Sequence, residues 1–375
     1  MKIGLFIKDF AAGKQFSKNG LPMKSGAEFQ ADNYARQLIR RGNQVTIFAK
    51  KRYWFTKARE IIGGIDVVRL HAPFRWLEIF VRLLTTHRDI DSFYIIGTPA
   101  FAVWAILYAR IFHKPVTMSL TISEELFAGK ATWRNKILAK CSCYIANTRE
   151  IRRGLADNLA DDPPPRIVLL PHGIDTLAFP MVSPCKKCEL RVKYSIPAKE
   201  LVLLFCARVD LRKGIDTLQR IWPILHSKYP SAKFYIVGGG RTNYMDELRR
   251  MSQAMDNSVV VTGEVDRPQD YYQMADVYIF PSRAEGLPTS LMEAMSCGLP
   301  SVVSDIGGCE DLIANGENGF RVNSEDAEGF AEKVAYLFDN EPERRRMGKH
   351  AAEYVQSHCD YSCVINQLEQ ILGQE

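Results

Sequence analysis

Two glutamates, Glu285 and Glu293, lie eight residues apart in the stretch 275–305, ADVYIFPSRAEGLPTSLMEAMSCGLPSVVSD. Glu293 has apolar neighbours on both sides, in LMEAM. A carboxylate in such a run is costly to bury unless donors meet it, and hydroxyl groups of a sugar or ribose would be suitable donors. The alternative is a surface helix on which Glu293 points to water.

The stretch 275–305 predicts a strand, a loop, a helix and a second strand. Its first apolar run ends at Pro281, and we expect Thr289 or Ser290 to cap the helix and Gly298 with Pro300 to end it. A short crossover of this kind implies parallel strands. The loop therefore brings a helix N-terminus, whose free N–H groups can receive a phosphate, to the carboxyl edge of a sheet.

Two cations, Arg208 and Lys213, follow the apolar run 201–206, which is typical of a covered parallel strand. The carboxyl ends of such strands are where α/β folds bind ligands. An arginine, which makes forked contacts, and a lysine, which is a mobile point charge, together suit a diphosphate. The alternative is a solvated basic turn.

Several motifs together resemble glycosyltransferase family 4. Glu285 and Glu293 match its E-x7-E motif, and Arg208 with Lys213 matches its R-x4-K motif. The segment VLLPHGIDTLAF, ending at Phe179, is similar to the interdomain segment N-G-V-D-x3-F of that family. The segment GAEFQADNYARQLIRRGNQVTIFA resembles its first helix and second strand. The resemblance spans most of the chain and does not identify the sugar.

The resemblance implies an α/β protein of the GT-B fold, with two Rossmann-like domains whose parallel sheets face each other across a cleft. We expect residues 1–172 to form the acceptor domain, 173–356 the nucleotide-sugar donor domain, and 357–375 a helix that crosses back to the first domain. The implied activity is that of a retaining glycosyltransferase, which moves a hexose from a nucleotide sugar, with UDP as the expected nucleotide, to a lipid-linked or polysaccharide acceptor.

The resemblance also implies roles for individual residues. Arg208 and Lys213 would stabilise charge on the departing diphosphate. Glu293 would hold the ribose, and Glu285 would position the sugar. Two backbone segments complete the expected donor site: Gly263, Glu264 and Val265 at the base, and Gly286, Leu287, Pro288, Thr289 and Ser290 at the sugar and phosphates.

The sequence departs from the family at MSLTISEE, residues 118–125. Many relatives place a histidine just after this strand to contact the donor sugar. Here the region offers Ser119, Thr121 and Ser123, and His113 comes too early in the chain. We therefore expect no catalytic histidine at this position.

The composition is that of a soluble globular protein with two domains: 375 residues, 46% hydrophobic and 25% charged. A net charge of +6 is compatible with anionic substrates or an anionic membrane surface but does not argue for nucleic acid. No apolar run is long enough for a membrane span, and the N-terminus lacks the features of a signal peptide. We therefore expect a cytoplasmic protein with reduced thiols, peripheral on the inner face of the membrane at most.

Three other patterns point elsewhere. Gly238, Gly240 and Asn243 nearly form the G-x-G-x-x-G of nicotinamide dehydrogenases, but the third glycine is missing. The D-x-D sequence 89–91 precedes a strand instead of following one. The pair Cys185 and Cys188 has no second pair nearby, and a structural zinc site needs about four ligands. We therefore expect neither a metal nor a cofactor, since the nucleotide sugar is a substrate.

The segment 75–89, RWLEIFVRLLTTHRD, is amphipathic, with Trp76, Leu77, Ile79, Phe80, Leu83 and Leu84 on its apolar face. It predicts either a helix that covers the first sheet or, together with the aromatic and basic residues 52–55, a helix that docks on a membrane. Two further functions stay open: a nucleotide-sugar epimerase or sugar-phosphate synthase, and a non-catalytic carbohydrate-binding relative.

Overall fold

The computed structural model describes residues 1–10, 26–51, 57–71, 74–120, 133–159 and 165–374. They form two compact units. Unit 1 comprises Met1–Gly173 with Tyr361–Glu375, and unit 2 comprises Ile174–Asp360. Each unit is built on its own sheet, because long runs of β-branched and aromatic residues alternate with amphipathic helices along the chain.

The sheet of unit 1 has the order β3-β4-β2-β1-β5-β6-β7-β8 among the described residues. Its strands are parallel except β3, which pairs antiparallel with β4 at the edge. The strands β5, β6 and β7 are buried along their whole length, as expected for a sheet covered on both faces. The strands are β1 Lys2–Asp9, β2 Gln44–Lys50, β3 Arg59–Ile62, β4 Ile65–Leu70, β5 Ser92–Ile96, β6 Val116–Leu120, β7 Cys143–Ala146 and β8 Arg166–Leu169.

Helices cover this sheet, and the helix at the end of the chain is one of them. Its residues Val364, Ile365 and Leu368 are fully buried in the core of unit 1, and the ring of Tyr361 meets that of Tyr34 edge-on with centroids 6.3 Å apart. The helices are α1 Gly26–Arg40, α2 Arg75–Leu84, α3 Ala102–Ile111, α4 Trp133–Leu138, α5 Arg149–Asn158 and, at the end of the chain, α14 Tyr361–Gly373.

Unit 2 has an all-parallel sheet in the order β11-β10-β9-β12-β13-β14. The strands are β9 Val202–Cys206, β10 Lys233–Val237, β11 Val259–Gly263, β12 Val277–Phe280, β13 Ser301–Ser304 and β14 Gly319–Val322. The helices are α6 Pro184–Lys193, α7 Ile215–Lys228, α8 Thr242–Ala254, α9 Pro268–Met274, α10 Thr289–Ser296, α11 Gly307–Glu310, α12 Ala327–Asp339 and α13 Glu341–His358. Strand order reverses between β9 and β12, which is where open α/β sheets bind ligands.

Several elements lie outside the sequence-based assignment, among them two edge strands and the helix α6. The edge strands β3 and β14 are short, and the residues that form β14 follow a turn-rich sequence. Helix α6 contains Cys185 and Cys188, and it begins with the Ser183 side chain as its cap. The expected cap of α10 is wrong, since Pro288 occupies the N-cap position and no side chain caps the helix.

Two glycines permit the close packing of loops at the carboxyl edge of the unit 2 sheet. A Cβ on Gly214, whose φ is +73°, would lie 2.0 Å from the carbonyl oxygen of Pro281. A Cβ on Gly308 would lie 1.3 Å from the carbonyl oxygen of Gly286. Both contacts are with backbone, which cannot rotate away. The loop 281–288 is therefore clamped between the segment after β9 and the start of α11.

We expect Gly308→Ala to displace the Gly286 backbone and to lower the midpoint of thermal unfolding by about 5 °C or more, because the added methyl group overpacks two loops. Gly373→Ala is the matched control, since its Cβ would meet only the Met1 side chain at an ordinary 3.5 Å. Equal midpoints for the two variants in a calorimetric scan would contradict the clamp.

Candidate functional site

The loop after β9 presents two cations in different environments. Asp210 accepts a hydrogen bond from the Lys213 backbone N–H (3.1 Å), which starts the short turn Leu211–Lys213. The Nε atom of Arg208 donates to Oδ2 of Asp210 (2.6 Å). The Arg208 side chain is 66% exposed, so its guanidinium remains open to a ligand.

Lys213 and Glu285 form an ion pair that is nearly removed from water. The Nζ atom of Lys213 lies 2.5 Å from Oε1 of Glu285, and the two side chains are only 13% and 9% exposed. The Ser282 hydroxyl lies 2.6 Å from the same Oε1, and Nζ lies 5.0 Å from the centroid of the Phe280 ring. The pair thus joins the loop after β9 to the loop after β12.

Glu293 lies on α10 and is half-buried, with its carboxyl group largely removed from water. The Tyr272 hydroxyl donates to its Oε2 (2.9 Å). Burial raises the pKa of Glu293 to about 7, and this hydrogen bond only partly offsets the effect. The bond to Tyr272 leaves other lone pairs of the carboxyl group available to a ligand hydroxyl.

A cavity of about 700 Å³ opens beside the loops after β9 and β10. Arg208 and Glu264 both line it, so the structure brings these two predicted site residues together. Arg241 and Tyr244, at the start of α8, also line it, and the sequence analysis missed them. Lys213, Glu285 and Glu293 are not among its lining residues.

The remaining predicted residues are backbone positions around these side chains. Gly263 ends β11, and its carbonyl oxygen accepts a hydrogen bond from Gly238 N–H (2.9 Å). Val265 packs against the unit 2 core. Leu287 is buried, Pro288 and Thr289 begin α10, and the Ser290 hydroxyl lies 3.0 Å from the hydroxyl of Tyr278.

Three further side chains of this site, Tyr272, Ser282 and Arg283, were missed because no local sequence pattern marks them. Tyr272 reaches Glu293 across 21 positions of sequence, from a different helix. Ser282 and Arg283 lie inside the resembling motif, but their partners are in the segment 211–216, some 70 residues earlier.

The other candidate sites have structural partners. Asp89 pairs with Lys2, and Asp91 accepts the Lys2 backbone N–H (2.8 Å). No group of three or more His, Cys, Asp or Glu residues in the described part of the chain could hold a metal ion. Ser119 is buried at the end of β6, whereas Thr121 and Ser123 lie outside the described residues.

Two family models match the chain, one in each half. The model described as Glycosyltransferase Family 4 matches residues 24–177, and the model described as Glycosyl transferases group 1 matches residues 186–354. Together they cover most of the chain, in the order that the sequence motifs predicted.

Curated relatives are similar over part of their length. A D-inositol 3-phosphate glycosyltransferase of Corynebacterium aurimucosum is 28% identical over 244 residues, which are 63% of this chain and 58% of that protein. The capsular polysaccharide biosynthesis glycosyltransferase CapM of Staphylococcus aureus is 28% identical over 169 residues, 45% of this chain and 44% of that protein. The chain thus spans about half the length of the curated relatives it matches.

Solved structures are similar over the whole chain. A sucrose-phosphate synthase of Thermosynechococcus elongatus superposes with a TM-score of 0.76 at 19% identity and covers 99% of this chain and 98% of that one. The Anabaena protein HepE, solved with UDP and glucose, superposes with a TM-score of 0.75 at 18% identity over the full length of both chains. The chain has the GT-B fold and, with one glycosyltransferase model matching each half, belongs to glycosyltransferase family 4.

Proposed function

We propose that this protein is a retaining glycosyltransferase that moves a hexose from a UDP-sugar to a lipid-linked or polysaccharide acceptor in cell-surface glycan synthesis. One observation carries the proposal: Arg208, Lys213 and Glu285 lie in the loops after β9 and β12, the two strands between which the strand order reverses, and an ion pair joins those loops. The proposal is supported by relatives that include an inositol phosphate glycosyltransferase and CapM, and by HepE, which was solved with UDP-glucose.

The leaving group of such a transfer is a nucleoside diphosphate, on which negative charge develops. Arg208 is exposed and can take a forked contact with phosphate oxygens. In the absence of substrate, the charge of Lys213 is balanced by Glu285. When the donor binds, the flexible lysine side chain lets Nζ move from the carboxylate to the diphosphate. Glu285, released from that bond, can accept hydrogen bonds from sugar hydroxyls. These contacts strengthen as charge develops and therefore lower the barrier.

The nucleoside has its own contacts in the proposal. Glu293 accepts hydrogen bonds from the ribose hydroxyls, and the cavity beside Glu264 takes the base. None of these roles requires a metal ion, whether for Arg208, Lys213, Glu285 or Glu293. We therefore propose that transfer is independent of metal.

The basic test is release of UDP from UDP-glucose without acceptor, with GDP-mannose as the comparison donor and with and without EDTA. Slow release in both buffers would support a metal-independent transferase, and the anomeric configuration of the transferred sugar, read by NMR, would test retention. A protein that binds the nucleotides and releases none would be a non-catalytic carbohydrate-binding relative.

The acceptor proposal rests on an apolar patch in unit 1, defined by Phe74, Leu77, Val81 and Leu84 near α2, Ile111 and Phe112 at the end of α3, and Trp133 on α4. These side chains are between 43% and 64% exposed. Helix α3 packs against both α2 and α4. The side chain of Trp76 and residues 52–55, which belong to the membrane-docking alternative predicted from the sequence, lie outside the described residues.

The apolar face of α2 is split, which changes the sequence-based interpretation. Ile79 and Leu83 are buried against the unit, whereas Leu77, Val81 and Leu84, spaced i, i+4 and i+7, form an outward row. A helix that only covers the sheet would account for the buried Ile79 and Leu83, but not for the exposed row. The three helices carry five basic residues and one acidic residue, Glu78, so the patch is complementary to an anionic lipid surface. None of the described helices has the length and apolarity that a bilayer span requires.

We expect Arg208→Ala to lower the rate of transfer about 30-fold or more, equivalent to about 2 kcal/mol of transition-state stabilisation, with little change in thermal stability. Lys213→Ala should lower it at least as much, but it also leaves the Glu285 carboxylate buried without its cation and therefore costs stability. Arg249→Ala, which removes another exposed arginine paired with a nearby aspartate, is the control. Unchanged turnover at saturating donor in both site variants would reject their roles.

The affinity for UDP should depend on Glu293 and on pH. Since its pKa is about 7, roughly nine tenths of the carboxyl groups are protonated at pH 6 and cannot accept from both ribose hydroxyls. The affinity for UDP should therefore rise about tenfold between pH 6 and pH 8, in addition to any change caused by titration of the UDP phosphate.

The raised pKa of Glu293 also affects stability. Because the folded state binds this proton more tightly than the unfolded state, the protein without ligand loses stability as pH rises from about 4.5 to 7.

Titration calorimetry separates these effects through matched variants. Glu293→Gln should bind UDP weakly and without the additional pH dependence, whereas Glu285→Gln should retain UDP binding and lose turnover of UDP-glucose. Equal losses for both variants with both ligands would contradict the division of roles.

We expect the protein to float with vesicles of phosphatidylglycerol and phosphatidylcholine at low salt, and less completely at physiological salt. Leu77→Glu with Val81→Glu should stay in the soluble fraction without unfolding, because both side chains are already exposed. Leu177→Glu, on the 88% exposed Leu177 of unit 2, is the control. If this control and the patch variant float alike, the patch does not bind lipid.

A further inference from the structure

Arg283 connects two loops that carry the candidate catalytic groups. Its backbone N–H donates to the carbonyl oxygen of Arg212 (2.8 Å), and its Nη1 donates to the carbonyl oxygen of Leu211. Its Nη1 and Nη2 also bind the two carboxylate oxygens of Asp216 at 2.8 and 2.6 Å. Arg283 therefore binds residues that precede Lys213 in the sequence and one that follows it.

The fourth contact of Arg283 is with Glu325, which is distant in sequence from the segment 211–216. The Arg283 Nε donates to Oε1 of Glu325 (2.7 Å), in the segment between β14 and α12. The guanidinium thus contacts three residues in two separate segments of unit 2, 211–216 and the segment before α12, which a lysine, with a single nitrogen, could not do in the same geometry. The hydrogen bond from Arg283 lowers the pKa of Asp216, so the pair stays charged at neutral pH.

The energy of these bonds in the folded state is modest, but their geometry is specific. The side chains of Arg283 and Asp216 are 29% and 44% exposed, so water screens the attraction between them. A bidentate pair nevertheless defines direction as well as distance. The 2.5 Å contact between Lys213 and Glu285 depends on how the loops after β9 and β12 are aligned, and Arg283 binds both of these loops, as does the Ser282 hydroxyl through the Arg212 carbonyl oxygen.

We propose that Arg283 is a positioning residue for the transfer reaction, which acts by holding Lys213 at the place where the leaving diphosphate binds. It does not touch the substrate itself. This inference rests on the proposed role of Lys213, and it adds a residue to which the sequence alone assigned no role.

The test is a double-mutant cycle read by UDP release from UDP-glucose. We expect Arg283→Met to lower kcat about tenfold or more, since small displacements of a catalytic group are costly, and Arg283→Lys to recover little of it. In a Lys213→Ala background the same substitution should have no further effect, because the residue through which Arg283 acts is gone. A loss of folding alone would lower activity in both backgrounds equally.

Two further variants keep the test decisive. Asp216→Asn should reproduce part of the kcat loss and leave the other contacts of Arg283 in place. Arg220→Met should leave kcat unchanged, since the Arg220 side chain donates to the Glu325 carbonyl oxygen (2.6 Å) but makes no hydrogen bond to residues 208–216 in the fully described unit 2.

The outcomes separate this inference from the proposed function. Activity of Arg283→Met within twofold of the parent, or losses that multiply in the double variant, would overturn the positioning role while the role of Lys213 stands. If Lys213→Ala itself has full activity, the proposed function of that lysine fails, and the role of Arg283 fails with it.

Discussion

The contact between Lys213 and Glu285 constrains the rest of the candidate site. Both charges are almost removed from water, and an unpaired charge in such a place would be strongly destabilising. The pair is therefore stable only if two loops, 72 positions apart in sequence, deliver their side chains to one point. In the proposed reaction, a diphosphate that takes the lysine must replace the charge that Glu285 supplies, and the sugar hydroxyls must satisfy the freed carboxylate.

The order of strands in unit 2 makes this convergence possible. β9 pairs with both β10 and β12, and the loops after these three strands leave the same edge of the sheet. The loop after β9 binds the loop after β10 through the bond from Val209 N–H to the Gly239 carbonyl oxygen (2.8 Å), and it binds the loop after β12 through Arg283. Close backbone approaches at Gly214 and Gly308 leave these loops little room to move.

A second group of contacts links Glu293 to the segment that enters unit 2. The ring of Phe179 meets that of Tyr272 edge-on, with centroids 5.8 Å apart, and the Ser296 hydroxyl donates to the Phe179 carbonyl oxygen (2.7 Å). Tyr272 in turn donates to Glu293. Two motifs that are more than 100 residues apart in the sequence are thus parts of one packed unit. The phenylalanine supports the tyrosine that orients the glutamate.

The sequence by itself determined the two-unit α/β architecture, most strands and the identity of the principal charged groups. A buried parallel strand such as β9 is recognisable because both of its faces are apolar. Arg208, Lys213, Glu285 and Glu293 are recognisable because charge follows or interrupts apolar runs. The short edge strands β3 and β14 were missed because their sequences carry little burial signal.

Only the tertiary structure decided which groups meet. No local pattern could reveal that Lys213 binds Glu285, that the Tyr272 hydroxyl donates to Glu293, or that Arg283 binds the segment 211–216. The row of Leu77, Val81 and Leu84 points outward, while Ile79 and Leu83 point inward, although all five are apolar in the sequence. The reason is physical: periodicity records how a segment is buried, whereas a hydrogen bond between distant segments depends on the packing of the whole unit.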